Sequence, residues 1–324
     1  MKIVEIRHED EAFPDMFIDV NHRGTEYHLA IVATSSSEPR YVEQSISRSK
    51  MALSDNPNCY PVYLSDFIGR RSREICREFD MGHVDLMGNI FISIDGLHIE
   101  KESARALLRE SKDLKNLFSP VSTRIIRKIL VGWKLPWTTK SLSELTGASI
   151  GMTHKVVKKL IDMKYIYRDN DFKLRIDEPS RLLDDWSNEY RFNVNKIIPL
   201  YSFQKDHRKL LTDIEKLSKN HDLKYALTLH SGGRLVAPYV RSNEIHVYVD
   251  GDIDSWIDGL DLRPVDSGGN INLVKPYDQG VLDDLQIIDG LNVVSNIQLY
   301  LDLCNYPKRG KEQADVIRER KIGF

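Results

Sequence analysis

The stretch PVSTRIIRKILVGWKLPWTTKSLSELTGASIGMTHKVVKKLIDMKYIYRDNDFKLRI, residues 120–176, decides the reading of this chain. Ile125, Ile126, Ile129 and Leu130 recur at helical spacing and line one face of a first helix, which Gly132 closes. Trp133, Leu135 and Trp137 lead onward, and Thr138 or Thr139 caps a short second helix carrying Leu142 and Leu145. Gly147 supplies the tight turn before Ser149, which opens a third helix. There Val156, Val157, Leu160 and Met163 make the buried side, while Met152, His154, Lys155, Lys158 and Lys159 face outward. Residues 165–176 alternate apolar and polar side chains around Asp169-Asn170-Asp171, the pattern of two strands joined by a turn. Three helices and a hairpin in this order predict a winged helix-turn-helix, with the third helix as reader and the hairpin as wing.

The charge of this segment points the same way. Between residues 123 and 176 the basic residues are Arg124, Arg127, Lys128, Lys134, Lys140, Lys155, Lys158, Lys159, Lys164, Arg168, Lys173 and Arg175, against Glu144, Asp162, Asp169 and Asp171. That is 12 − 4 = +8 inside a chain of net charge −2, a local excess suited to phosphate backbones. The competing reading is a solvated helix face on a fold that mediates protein contact. Helix order, turn glycine, hairpin and charge agree on double-stranded DNA. Ser149, Met152, His154 and Lys155 are then assigned to the groove, and Lys158, Lys159, Arg168, Lys173 and Arg175 to phosphates.

At 324 residues the chain exceeds one ordinary core, and its 41% hydrophobic and 29% charged content is that of a globular protein. The start MKIVEIR is too short and too charged for a signal peptide, and no apolar run could span a bilayer, so a cytoplasmic location without membrane partners is expected. Cys59, Cys76 and Cys304 have no metal-ligand spacing and leave an odd number for disulfides. The ten histidines form no paired-ligand spacing, so neither a metal nor a cofactor is expected.

The expected architecture is an α+β multidomain chain: an α/β domain over residues 1–105, the winged segment over 111–192 and a mixed α/β domain over 195–324. In the first domain, residues 16–20 and 26–34 read as strands, with Leu29 to Ala33 apolar enough to be covered on both faces. A helix over 40–53, a strand over 60–64, a helix over 70–79 and a strand interrupted at Gly88 follow. This order resembles the core of restriction-endonuclease-like nucleases, which hold a metal with an Asp on one strand and Glu-x-Lys on the next. Asp19 fits the first role, but Ile31-Val32-Ala33-Thr34 stands where the acid and lysine are expected, so the domain reads as a degenerate relic. A site rebuilt from Asp85 and Glu26 is the metal-dependent nuclease alternative.

Residues 101–115 form a charged, helix-prone connector, and Pro179 opens a helix with Leu182, Leu183, Trp186 and Tyr190 on one side. Beyond it the pattern predicts a helix over 205–220 and strands over 225–229, 235–240, 245–249 and 271–274, with Gly268-Gly269-Asn270 as a turn. Ser295 and Gln298 stand at capping-box spacing before a helix through Leu303, and a last helix over 311–320 turns Ala314 and Ile317 inward. Ser231-Gly232-Gly233 with Asp250-Gly251-Asp252 is superficially similar to the glycine pair and paired acids of nucleotidyltransferases. Gly251 looks like a turn rather than a strand residue, so Asp250, Asp252, Asp254, Asp258 and Asp261 read better as an acidic face able to meet a protein.

The winged segment with Phe118-Ser119-Pro120, Pro136-Trp137-Thr138 and Leu183-Asp184-Asp185-Trp186 is followed by Ala237-Pro238-Tyr239 and by the helix from Val294 to Leu303. Together with Arg309-Gly310-Lys311-Glu312-Gln313-Ala314, these motifs resemble the AbiEi family of antitoxins over about the last two thirds of the chain. The resemblance implies a transcriptional regulator of its own operon, without enzymatic activity, that antagonises a nucleotidyltransferase toxin in a type IV toxin-antitoxin (abortive infection) system of phage defence. The N-terminal domain departs from the minimal family pattern, and it leaves open a stand-alone regulator in which that domain adds nucleic-acid contacts or homodimer formation.

Overall fold

The computed structural model describes residues 2–8, 13–54, 58–105 and 116–324, which form a mixed α/β fold in two compact units. The first unit comprises residues up to 116 together with Lys158–Ile166, and the second comprises Leu117–Val157 and Tyr167–Phe324.

The first unit is built on a sheet whose seven strands lie in chain order: β1 (Lys2–His8), β2 (Met16–His22), β3 (Thr25–Ala33), β4 (Cys59–Ser65), β5 (Gly82–Asp85), β6 (Ile90–Ile94) and β7 (Leu97–Lys101). Two-residue turns join β2 to β3 and β6 to β7, four residues join β5 to β6, and the pairs β1–β2, β2–β3, β5–β6 and β6–β7 are antiparallel. Helices α1 (Pro39–Ala52) and α2 (Arg70–Glu78) instead connect β3 to β4 and β4 to β5, and a helical crossover makes those pairs parallel. Val32 and Tyr63 on one sheet face pack with Val42, Ile46, Ile75 and Cys76 of the two helices. Leu29, Ile31 and Val62 on the other face pack with Val20, Ile92 and Leu97. The apolar run of β3 is therefore buried on both faces, as its composition predicts. The pattern at Gly88 resolves as a turn with φ +97° between β5 and β6. Residues 106–115 of the predicted connector lie outside the described residues.

The second unit opens with α3 (Pro120–Val131) and α4 (Thr139–Thr146), and α5 (Ile150–Asp162) runs on into residues counted with the first unit. Strands β8 (Ile166–Arg168) and β9 (Leu174–Ile176) make a two-stranded sheet, and α6 (Pro179–Glu189) follows. A second seven-stranded sheet comprises β10 (Lys196–Tyr201), β11 (Tyr225–Leu227), β12 (Ile245–Val249), β13 (Arg263–Pro264), β14 (Ile271–Lys275), β15 (Gln286–Ile288) and β16 (Leu291–Val293). Its spatial order is β13-β10-β14-β12-β11-β16-β15. Helices α7 (His207–His221), α8 (Leu229–Val236), α9 (Ile253–Gly259), α10 (Asn296–Cys304) and α11 (Gly310–Ile317) complete the unit. Buried Ala314 and Ile317 face inward on α11 as expected.

One element differs in kind from its prediction. Residues 235–240 are not a strand: Leu235 and Val236 end helix α8, which already contains Ser231-Gly232-Gly233. The glycine pair likened to that of nucleotidyltransferases lets the helix pack closely against its neighbours. A Cβ on Gly232 would sit 3.0 Å from the Leu227 carbonyl, and one on Gly233 would sit 3.0 Å from Gln313. Strands β1 and β7 were not predicted either.

Candidate nucleic-acid interface

Local chemistry fixes the helices of residues 120–176 one by one. Thr138 caps α4: its Oγ1 accepts from the Ser141 amide at 2.9 Å, and the Ser141 hydroxyl accepts from the Thr138 amide at 3.0 Å. Gly147 ends α4 in the left-handed region, with φ +65°. Ser149 opens α5 by accepting from the Met152 amide at 3.3 Å. Trp137 exchanges backbone hydrogen bonds of 3.0 and 2.8 Å with Leu174, adding a short bridge to β9. The Asp169 carboxylate closes the β8–β9 turn by accepting from the Asp171 and Lys173 amides, at 3.0 and 2.9 Å.

The predicted contact residues fall into two groups. Ser149, His154, Lys155, Lys158, Arg168 and Lys173 are exposed, and Met152 is half-buried beside them. Among the described residues, Lys155, Lys158 and Lys173 make no ion pair, and Arg168 donates only to the Phe172 carbonyl at 3.2 Å. Lys159 and Arg175 are already engaged. Lys159 Nζ lies 3.4 Å from Glu38, and Arg175 Nε lies 2.9 Å from Asp169, whose carboxyl it holds below the usual range. Val156, Val157 and Leu160 are buried as expected, whereas Met163 is half-buried.

The basic residues of α3 turn inward. Arg124 Nε reaches both Asp278 oxygens at 2.8 and 2.7 Å, and Lys128 pairs with Asp284. Arg127 is 1% exposed: Nε donates to Gln298 at 3.0 Å, Nη2 donates to the Tyr277 hydroxyl at 3.0 Å, and the guanidinium lies over Trp186. Gln298 passes the chain on by donating at 2.7 Å to Asp302, which is itself fully buried. That carboxylate also accepts from Tyr190 at 2.7 Å, from Tyr248 at 3.1 Å and from Thr228. Burial nevertheless outweighs these hydrogen bonds and pushes the Asp302 carboxyl up to about 6. Sequence reasoning missed this network, although Gln298 and Asp302 stand four apart on one helix face.

The residues of the enzymatic readings are mostly occupied by structure. Asp250 accepts from the Lys224 amide at 2.6 Å, Gly251 turns the chain with φ +69°, and Asp252 caps α9 through the Ser255 amide at 3.2 Å. Asp85 accepts from the Ile68 and Asn89 amides at 3.0 and 2.9 Å and from the Asn89 side chain at 2.8 Å. Asp19 and Glu26, by contrast, come together with His28 on β2 and β3, their potential ligand atoms all within 4.8 Å. Glu26 stands at the beginning of β3, not among residues 31–34, where the endonuclease resemblance places an acid. Cys59, in register with His28, has its thiol pushed up by burial and by the Asp19 charge.

Residues 175–323 match the family model AbiEi_2, described as a transcriptional regulator, the AbiEi antitoxin of a type IV toxin-antitoxin system. The match supports the AbiEi family and covers the second sheet with α10 and α11, where the motifs of the resemblance from Leu183 onward lie; those at residues 118–120 and 136–138 fall outside it. No curated protein and no solved structure matches the chain. Among the described residues, no helix is long and apolar enough to cross a membrane.

Proposed function

We propose that the chain is the DNA-binding antitoxin of a type IV toxin-antitoxin system, a winged helix-turn-helix regulator acting in the cytoplasm that represses its own promoter. The observation that carries this reading is the pair Lys155 and Lys158 on α5, exposed and without an ion pair among the described residues, behind a capped α4 and Gly147 and ahead of a hairpin. The AbiEi match beside it supplies the regulatory context. In this reading the third helix enters the major groove with Ser149, Met152, His154 and Lys155, while Lys158, Arg168 and Lys173 meet phosphates. The protein acts by binding rather than by catalysis, and its protein partner is a nucleotidyltransferase toxin. The antiparallel β1–β3 meander running through α1 into parallel β4 supports reading the first unit as a degenerate restriction-endonuclease-like domain.

The test is binding of the purified protein to a duplex from its own upstream region and to a scrambled duplex at two salt concentrations. Tight, selective binding that weakens with salt is expected. Equal or absent binding to the two duplexes would reject the regulator.

A further inference from the structure

The β2–β3 hairpin carries a constellation that the regulatory reading does not use. Its turn, Arg23-Gly24, has φ +53° and +87°, and this two-residue turn sets the register that pairs Asp19 with His28 and Asn21 with Glu26. Directly paired residues share a sheet face, and so do residues two apart on one strand, so Asp19, Glu26 and His28 project together. Among the described residues, this is the group of three His, Cys, Asp or Glu side chains whose donor atoms all lie within 4.8 Å of one another.

We propose that Asp19, Glu26 and His28 bind a divalent first-row transition-metal ion. The set is not a patch of solvated surface acids. Asp19 is 5% exposed: Arg7 Nη2 donates to Oδ2 at 3.1 Å and to Oδ1 at 3.4 Å, and Oδ1 lies 2.7 Å from His28 Nδ1. That separation is the one a shared proton sets, and a slight parting of the two atoms opens it to the spacing of neighbouring donors on one metal. The metal takes the proton's place between Oδ1 and Nδ1, and a neutral His28 then keeps its hydrogen on Nε2. Exposed Glu26 forms no ion pair among the described residues and closes the open side. Two carboxylates beside one guanidinium leave the pocket at net charge −1, which attracts a dication. Arg7 remains on Oδ2 as the partner that orients the ligand.

The donor set selects the ion. One imidazole nitrogen with two carboxylates suits manganese, cobalt or zinc, whereas calcium and magnesium prefer oxygen alone. Both strands are held by the sheet, with Val20 and Leu29 of the same hairpin packed in the core of the opposite face, so the ligands sit on rigid backbone.

The test uses the full-length, chelator-treated protein titrated with Co2+ while its visible d–d absorption is followed, with Zn2+ as competitor and Mg2+ as a control. One equivalent is expected to saturate the spectrum, with Zn2+ displacing it and Mg2+ not. Glu26→Gln and His28→Gln should each weaken binding by at least about tenfold, their combination should abolish it, and Cys59→Ser should leave it unchanged. The combined variant alters only side chains that are at least partly exposed, so it keeps the test decisive even if Asp19→Asn fails to fold. A spectrum that never saturates at one equivalent, or that survives in the combined variant, would overturn the site.

Discussion

Helices α3 and α5 each carry three basic residues in the same segment: Arg124, Arg127 and Lys128 on one, Lys155, Lys158 and Lys159 on the other. On α3 all three are engaged inside the protein, with Asp278, the Gln298–Tyr277 pair and Asp284. On α5, Lys155 and Lys158 are exposed and make no ion pair among the described residues, whereas Lys159 pairs with Glu38. A helix of mixed charge and apolar residues tells where its apolar stripe lies but not what covers its other sides. The local excess of +8 therefore overstates the charge offered to a phosphate backbone, because α3 uses its share to hold the second unit together.

The largest effect should come from breaking the inward side. Arg127→Ala strands the buried Gln298 side-chain carbonyl, takes one of two partners from the Tyr277 hydroxyl and removes the cation two links from Asp302, and should cost about 3 kcal/mol in urea unfolding. Lys158→Ala, on the outward side, should change stability by no more than about 0.5 kcal/mol. Equal losses in the two variants would erase the distinction between the helices.

A smaller effect sharpens the same contrast through pH. Asp302 has a folded pKa near 6, raised above its ordinary 3.8. The folded state therefore holds a proton that the unfolded state has released, and this contribution is full below about pH 4 and is lost as pH rises through about 6. Between pH 4 and pH 7 the wild type should lose about 2 kcal/mol more stability than Asp302→Asn. Parallel stability profiles for the two proteins would show that the buried carboxyl carries no such cost.

What was legible in the sequence was whatever rests on neighbours in the chain. The capping of α4 by Thr138, the Gly147 turn, the Ser149 opening of α5 and the Ser295–Gln298 cap of α10 were all readable from spacings of two to four residues. The AbiEi resemblance was readable for the same reason, since its motifs are short and local, and the family match covers their region from residue 175 onward. The strand expected over residues 235–240 fails because the helix holding Gly232 and Gly233 runs on through Val236, its glycines allowing close approach to Leu227 and Gln313. The Arg127–Gln298–Asp302 chain was not legible, because it joins residues 171 apart. The Asp19–Glu26–His28 cluster is half legible: Asp19 and Glu26 both stand among the candidate acids, grouped with Asp85, whereas His28 is found only by taking Arg23-Gly24 as a two-residue turn that puts it opposite Asp19.

The most direct test of the central claim, that α5 and not α3 faces nucleic acid, is the salt dependence of binding to the upstream duplex. It compares the wild type with Lys155→Ala/Lys158→Ala and with Arg124→Gln/Lys128→Gln. The α5 pair should weaken binding and, through the loss of Lys158, lower the slope of log affinity against log salt by about 1, at roughly 0.9 per lost phosphate contact. The α3 pair, where folded, should leave the slope unchanged. A slope that falls with the α3 pair and holds with the α5 pair would contradict the account.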